Sequence, residues 1–345
     1  MILLNVISFI VGFVMVLATI RSAVRMFILP RAAQDEIVRL LFLFTRRVFY
    51  LRVKKISTYQ QRDRLMAYYA PLSLLLLLLL WYSMVLTGYT LMFWGLGAES
   101  WYLAFRESGS SLLTLGFQAE NALSFSILAF TEASIGLILV ALLIAYLPTM
   151  YAAFSRREVI VKLLEVRAGN PPSAVELLQR YYRNQGIDRL GGEWPKWETW
   201  FADIDESHTT LASLVFFRSS QPDHAWINAA GTILDSASLY LSSVDLPFEA
   251  AAALCIRAGY LALRHIADFF EISYQDVVHY GDPIQLPREK FDLALDELGK
   301  SGLPIVADRE KAWMDFCGWR INYEETLYAL ANLTMAPNAP WINED

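Results

Sequence analysis

Charge is scarce in this sequence: 19% of its 345 residues are Asp, Glu, Lys or Arg, against 55% hydrophobic, where soluble domains carry roughly 25% charged. That bias points to surface facing lipid. Cysteine is nearly missing as well, and Cys255 and Cys317 have no partner spacing, so two free buried thiols are expected. The histidines His208, His224, His265 and His279 are too scattered for a metal motif, and Asp205 and His208 share a helix face by spacing alone. Neither a metal nor a catalytic site is expected, and the chain is not read as an enzyme. Strand signals are scarce, no Gly-x-Gly-x-x-Gly follows a strand and no all-β cyclic-nucleotide pattern occurs. What remains is an all-α chain.

The apolar excess sits in three long runs before residue 155, while composition after about residue 170 is that of a soluble protein. The first run, Ile2 to Ile20, carries no charge and makes about 28 Å of helix at about 1.5 Å per residue, enough to span. A cleaved signal peptide fits it poorly, for no basic residue precedes the apolar core and no small-residue cleavage site follows it. Pro71 to Leu96 contains seven consecutive leucines, Leu74 to Leu80, followed by Trp81, Tyr82, Tyr89 and Trp94 as interfacial anchors. Ala122 to Phe154 is interrupted by Glu132 and Pro148. Three transmembrane helices are expected, within 1–29, 68–96 and 122–154.

Orientation follows from the basic residues. Between the first two runs, Arg21, Arg25, Arg31, Arg39, Arg46, Arg47, Arg52, Lys54, Lys55, Arg62 and Arg64 face Asp35, Glu36 and Asp63, which marks a cytoplasmic loop. Arg156, Arg157 and Lys162 mark a second cytoplasmic exit, whereas Gly97 to Asn121 holds Arg106 beside Glu99, Glu107 and Glu120. The amino end is therefore expected outside and the carboxyl end in the cytoplasm of a multi-pass plasma-membrane protein. Within 30–67, Ile37, Leu40, Leu41, Phe44, Val48 and Leu51 recur at helical spacing among arginines. An interfacial amphipathic helix and a helix packed on the protein fit this equally well. Its arginines lie outside any span, so voltage sensing is not expected.

About twenty-five residues separate the second and third spans, more than a simple loop needs. Trp101 to Leu113 reads as a short helix and 114–119 as a glycine-containing turn. Span, short helix, turn and span is a pore-loop arrangement. The run Ser110-Ser111-Leu112-Leu113-Thr114-Leu115-Gly116-Phe117 resembles the pore-helix end and filter of potassium channels, whose pattern is Thr-Val-Gly-Tyr-Gly-Asp. Phe130 to Ala145, with Gly136 twenty residues beyond Gly116, resembles the inner helix of the bacterial two-transmembrane members. Placement in a bacterial inner membrane follows from that resemblance. It covers about Leu72 to Phe154 and implies ion coordination by backbone carbonyls of Thr114, Leu115 and Gly116, with Phe117 and Gln118 completing the filter. Gln118 and Ala119 stand where the family has glycine and aspartate, which implies fewer ion sites and weaker discrimination between K+ and Na+. Glu120 would gather cations at the outer mouth.

Glu132 is an ionisable group in an apolar span and hence a site candidate, either a buttress bonded to Ser108, Ser110 or Ser111, or a pore-lining acid. Gly136 is a candidate hinge and Pro148 a candidate kink near the inner mouth, and either equally serves helix packing. One pore loop cannot enclose an ion, so the resemblance implies a homotetramer in the lipid bilayer. Permeant monovalent cations take the place of a cofactor.

Segment 156–171 reads as a linker, closed by Asn170-Pro171-Pro172, and 172–345 as a cytoplasmic helical domain. Ser173 is an N-cap candidate for Ala174 to Asn184. Further helical patterns cover Trp197 to Phe217, Trp226 to Leu241, Pro247 to Phe270, Arg288 to Ser301 and Arg309 to Leu333. From Pro171 onward 26 acidic residues face 13 basic ones, which excludes attraction to nucleic acid and anionic lipid. Trp197, Trp200, Glu206, Ser207, His208, Phe216-Phe217-Arg218-Ser219, Trp319-Arg320 and Ala339-Pro340-Trp341 resemble the tails of bacterial channel-like proteins of the same family, a likeness that names no ligand. Two functions stand at this point: a tetrameric cation channel coupled to the helical domain, and a nonconducting scaffold or receptor that keeps the pore-loop architecture.

Overall fold

The computed structural model describes residues 2–29, 35–54, 56–117, 122–184, 186–219, 221 and 224–337. Among them every regular element is a helix, apart from one isolated bridge between Val244 and Ile305. The chain forms two compact units, one of Met1–Lys55 with Leu65–Tyr151 and one of Ile56–Arg64 with Ala152–Asp345. Among the described residues four helical stretches are long and apolar enough to cross a membrane: Ile2–Phe27, Tyr59–Gly95, Leu123–Ala168 and Ala250–Phe269.

The first unit contains α1 (Ile2–Phe27), α2 (Glu36–Val53), α4 (Tyr69–Gly95), α5 (Trp101–Leu112) and the first part of α6 (Leu123–Ala168). Helix α3 (Tyr59–Ala67) runs across the boundary between the units. Buried residues of α1 recur every three or four positions, at Ser8, Gly12, Val16, Thr19, Ser22 and Met26, so they form one stripe. That stripe meets α4 closely. A Cβ on Gly12 would lie 2.3 Å from the Gly88 carbonyl oxygen, and one on Gly95 would lie 2.6 Å from that of Asn5. Small residues let two backbones approach where lipid supplies no hydrophobic drive between helices. Ile7, Ile10, Phe13, Val14 and Leu17 on the rest of α1 stay exposed.

A short polar relay fixes the far end of this contact. The Trp81 indole donates to Ser22 Oγ at 3.1 Å, Ser22 donates to Asp35 at 2.7 Å, and Asp35 caps α2 by accepting from the amides of Ile37 and Val38. Helix α2 packs on the start of α4 through Thr45, 3.0 Å from Ser73, and Tyr69, which donates to the Phe42 carbonyl at 3.0 Å. Leu40, Phe44, Val48 and Leu51 remain exposed. Of the two readings open for this segment, the protein contact is thus made by Thr45 and Phe42, while most of the leucine-rich stripe is left outside it.

The second unit is built around α9 (Trp226–Ser243), in which every residue from Trp226 to Tyr240 is buried. A helix buried all round is a core helix. Helices α7 (Ala174–Asn184), α8 (Trp194–Thr210), α10 (Ala250–Phe269), α11 (Arg288–Lys300), α12 (Arg309–Arg320) and α13 (Glu324–Thr334) belong to the unit as well, with the last part of α6 and the start of α3. Trp194, Phe201, Ile233, Leu263, Phe291 and Tyr323 are among the core side chains, each worth about 1.5–3 kcal/mol of burial for an aliphatic or phenyl group. Helix α10 was not expected to rank as span-like. It turns Ala252, Ile256, Gly259, Leu263 and Ile266 into this core and leaves Arg257, His265 and Asp268 exposed.

Three expected helix limits change, the first being the pattern from Trp197 to Phe217, which divides at Leu211 into α8 and a 3-10 turn, Ala212–Phe216. Helix α6 does not stop near Phe154 but runs to Ala168, so most of 156–171 is helix rather than linker; Gly169, at φ +82°, ends it. The pattern from Arg309 to Leu333 is two helices, because Asn322 turns its amide onto the carbonyls of Gly318 and Trp319 and competes with the helical ladder.

Several charges read as surface features are internal. Arg157, counted above as an orientation charge, is buried and donates to Glu158 at 3.0 Å and to the carbonyls of Leu214 at 3.0 Å and Phe217 at 2.7 Å. His208 meets it with Nε2, 3.3 Å from the guanidinium. Arginine only donates, so Nε2 must be the lone-pair nitrogen and Nδ1 carries the hydrogen, toward Ser207 Oγ at 3.1 Å. Burial, then the Arg157 charge, holds His208 well below its ordinary pKa. Asp205 does not meet His208; it pairs with His265 at 2.7 Å. Cys255 and Cys317 are buried and unpaired.

Candidate functional site

Ser100 starts α5 by accepting from the Leu103 amide at 3.2 Å. The helix is amphipathic, burying Ala104, Glu107, Ser108, Ser110 and Leu112 and exposing Trp101, Tyr102 and Phe105. Its end is a Schellman closure: the Thr114 amide donates to Ser111 at 3.0 Å and the Leu115 amide to Ser110 at 2.8 Å. The left-handed position of that closure is Thr114, at φ +53°. Glycine is the usual residue there, and a β-branched side chain is an outlier. Gly116 also has positive φ, +70°. The turn therefore contains two left-handed residues, one of them strained.

Leu113, Leu115 and Phe117 are all more than half exposed, Leu115 at 58%, so the turn projects from the unit. Arg106 lies over the Phe117 ring at 5.3 Å and the Tyr102 ring at 5.7 Å. Of the residues singled out from sequence, Thr114, Leu115, Gly116 and Phe117 form this turn. Gln118, Ala119 and Glu120 lie outside the described residues.

Behind the turn, α4, α5 and α6 are sewn together by hydroxyl groups. Ser108 Oγ lies 2.5 Å from Glu132 Oε1 and 3.0 Å from the Leu86 carbonyl oxygen. Tyr89 donates to Thr131 at 3.0 Å and Tyr82 to the Gly136 carbonyl at 2.7 Å, one on each side of Glu132 along α6. Glu132 is fully buried, and its Oε2 has no partner among the described residues. Glu107 on α5 is also buried. A Cβ on Gly136 would lie 2.7 Å from the Leu112 carbonyl oxygen, so α6 crosses the end of α5 at the one place where a side chain is absent. Of its two readings, Gly136 has the packing contact.

Pro148 is not brought to this cluster. It stands twelve positions beyond Gly136 along the unbroken α6, exposed, and removes the hydrogen bond that the Ile144 carbonyl would accept.

Sequence reasoning missed Tyr82, Tyr89, Glu107 and Arg106. The tyrosines read as interfacial anchors and instead donate inward. Their spacing of seven residues, two turns of one helix face, was the available signal. Ser108 and Glu132 are 24 positions apart, so their contact is tertiary. Among the described residues no three His, Cys, Asp or Glu side chains are grouped to hold a metal. In comparison with known proteins, no family model, no curated protein and no solved structure matches this chain.

Proposed function

We propose that the chain is one subunit of a homotetrameric pore-loop channel for monovalent cations, in which four copies of the turn from Thr114 to Phe117 surround one axis in a bacterial inner membrane. The observation that carries this reading is the exposed, twice left-handed turn at the end of a short helix α5 that is locked between two long apolar helices. Backbone of this kind at membrane depth is tolerated where protein or a watery path satisfies it, and four copies around an axis supply both. The buried Ser108–Glu132 contact and the Tyr82 and Tyr89 bonds supply the rigidity that a filter needs.

In this reading α1, α4 and α6 are the spans, with the amino end outside, and α10 is a core helix of the cytoplasmic unit. Arg257, His265 and Asp268, exposed on one face of α10, are polar groups that are costly in hydrocarbon. Filter carbonyls of Thr114, Leu115 and Gly116 coordinate K+ or Na+, with reduced discrimination because Gln118 replaces the second filter glycine. Continuity of α6 from the pore into the second unit supplies a mechanical route from that unit to the gate.

The second reading, a nonconducting scaffold of the same architecture, is favoured by Arg106, whose positive charge over Phe117 opposes cations beside the turn. Current separates the two. Purified protein in a planar bilayer, with K+ and Na+ on opposite sides, is expected to carry cation current, and Gly116→Val, which puts a β-branched side chain at φ +70°, is expected to abolish it. Silence of the wild-type protein across pH, Ca2+ and membrane tension selects the scaffold. Unchanged current in Gly116→Val overturns the filter assignment.

A further inference from the structure

The second unit contains a cavity of about 500 Å3 between α9, α13, the start of α7 and the loop that leads into α11. Its volume lies within the roughly 300–1,000 Å3 of small-molecule sites, far above the voids of a close-packed interior. The question is which chemistry its lining offers.

The floor is rigid and already satisfied. Arg320, 2% exposed, reaches Asp235, donates to Glu324 at 2.8 Å and to the Tyr328 hydroxyl at 3.0 Å, and the Tyr323 hydroxyl donates to Asp235 at 2.7 Å. Glu324 in turn accepts the backbone amides of Gln285 at 2.5 Å and Leu286 at 3.1 Å. That pins the loop before α11 to the floor.

The groups left over are mostly donors. Lys290 lines the cavity, is exposed and has no ion pair among the described residues. Tyr328 accepts from Arg320, which leaves its own hydroxyl hydrogen for a ligand. The side-chain amides of Gln285 and Asn332 also line the cavity, and neither has a hydrogen-bond partner among the described residues. Ile227, Leu327 and Ala331 give one side an apolar wall. An ammonium, a phenol and two amides grouped over an apolar wall match a ligand that accepts several hydrogen bonds, carries negative charge and has an organic body.

We propose that this cavity is a binding site for a small organic anion, a phosphate or carboxylate ester or acid of up to about mononucleotide size, with its anionic group at Lys290 and Tyr328 and its body against Leu327 and Ala331. The site belongs to the second unit alone and stands whether or not the turn after α5 conducts ions. Its wall includes Pro172 and Ala174, the residues that follow the end of α6.

The test uses the full chain, purified in detergent, and thermal unfolding with adenosine 5′-monophosphate, glucose 6-phosphate and citrate, each beside an uncharged or bodiless control: adenosine, glucose and inorganic phosphate. At least one organic anion is expected to raise the unfolding temperature in a saturable way, with its control inactive. Lys290→Gln, at an exposed position, is expected to leave the ligand-free unfolding temperature unchanged and to weaken that ligand about tenfold or more, as loss of a charge-assisted contact does. Tyr328→Phe is expected to weaken it less. The proposal is overturned if no organic anion stabilises the protein, if inorganic phosphate alone does so equally well, or if Lys290→Gln binds as the wild type does.

Discussion

Where α1 meets α4 the closest approach is made by Ser8, Gly12, Gly88 and Gly95, with Trp81 against Phe27 at one end, whereas the packing around α9 is made by Trp194, Phe201, Phe291 and Tyr323. Both are helix-on-helix interfaces, and they differ in how near the two backbones come. In water, burying a large apolar side chain is itself the driving force, which under the proposed topology fits the aromatics gathered in the second unit. In lipid the hydrocarbon is as apolar as leucine, and stability comes from close backbone approach and from hydrogen bonds that have no competing water. Under the same topology the first unit fits the lipid case, with single hydroxyls of Ser22, Ser108 and Tyr82 at its helix crossings. The second can bury whole ion pairs, as it does with Arg320, Asp235 and Glu324.

The largest effect expected from this contrast is at Arg320. Replacing it by Met leaves Asp235 and Glu324 buried without their counter-charge, and the second unit should lose about 3–5 kcal/mol. Denaturant unfolding followed by tryptophan fluorescence measures it, and a loss below about 1 kcal/mol would show the network to be dispensable.

Next comes a paired substitution of glycines. Gly12→Ala drives a methyl into the Gly88 backbone oxygen, which cannot yield unless α1 and α4 separate; a loss of about 1–3 kcal/mol is expected. Gly259→Ala in the second unit meets the Leu234 side chain at 2.5 Å and the Phe201 ring at 3.0 Å, which have rotamer freedom, and should cost less. Thermal unfolding in one detergent compares them. Equal losses would break the distinction between backbone-limited and side-chain-limited packing.

How much of this was legible in the residues themselves depends on range. The three apolar runs are visible because lipid imposes composition over twenty residues at a time, and α7 and α11 lie where caps and periodicity put them. Helix α10 shows the limit: a helix buried in a protein core and one that crosses a bilayer share the same apolar content, and the difference lies in where Arg257, His265 and Asp268 point. The end of α6 was misplaced because charged residues from Arg156 onward look like an exit from the membrane, although charge does not stop a helix; Gly169 does. At the candidate site, the short helix and its turn are local and were readable. The seam of Tyr82, Tyr89, Ser108 and Glu132 joins positions up to 54 apart in sequence and is set by packing.

A smaller effect is expected from pH. The folded His208 has its pKa below the ordinary value of about 6.5 that it regains on unfolding. As pH falls below about 6.5, the unfolded chain takes up a proton that the folded one refuses. The second unit should therefore lose stability on acidification, by up to about 1.4 kcal/mol per pH unit from this group. His208→Gln keeps an acceptor for Arg157 and should remove that share of the acid slope; an identical slope in wild type and variant would assign the effect to other groups. Smallest of all is Thr114→Gly, which relieves a left-handed β-branched residue and should stabilise the first unit by at most about 1 kcal/mol, read as a small rise in unfolding temperature.

The central claim is that four turns from Thr114 to Phe117 meet around an axis, and the most direct test is a density map of the assembled protein in lipid nanodiscs. The account predicts a four-fold particle with these turns facing one another and ion density on the axis beside the carbonyls of Thr114, Leu115 and Gly116. A particle of another order, or one in which the four turns face lipid, would contradict it.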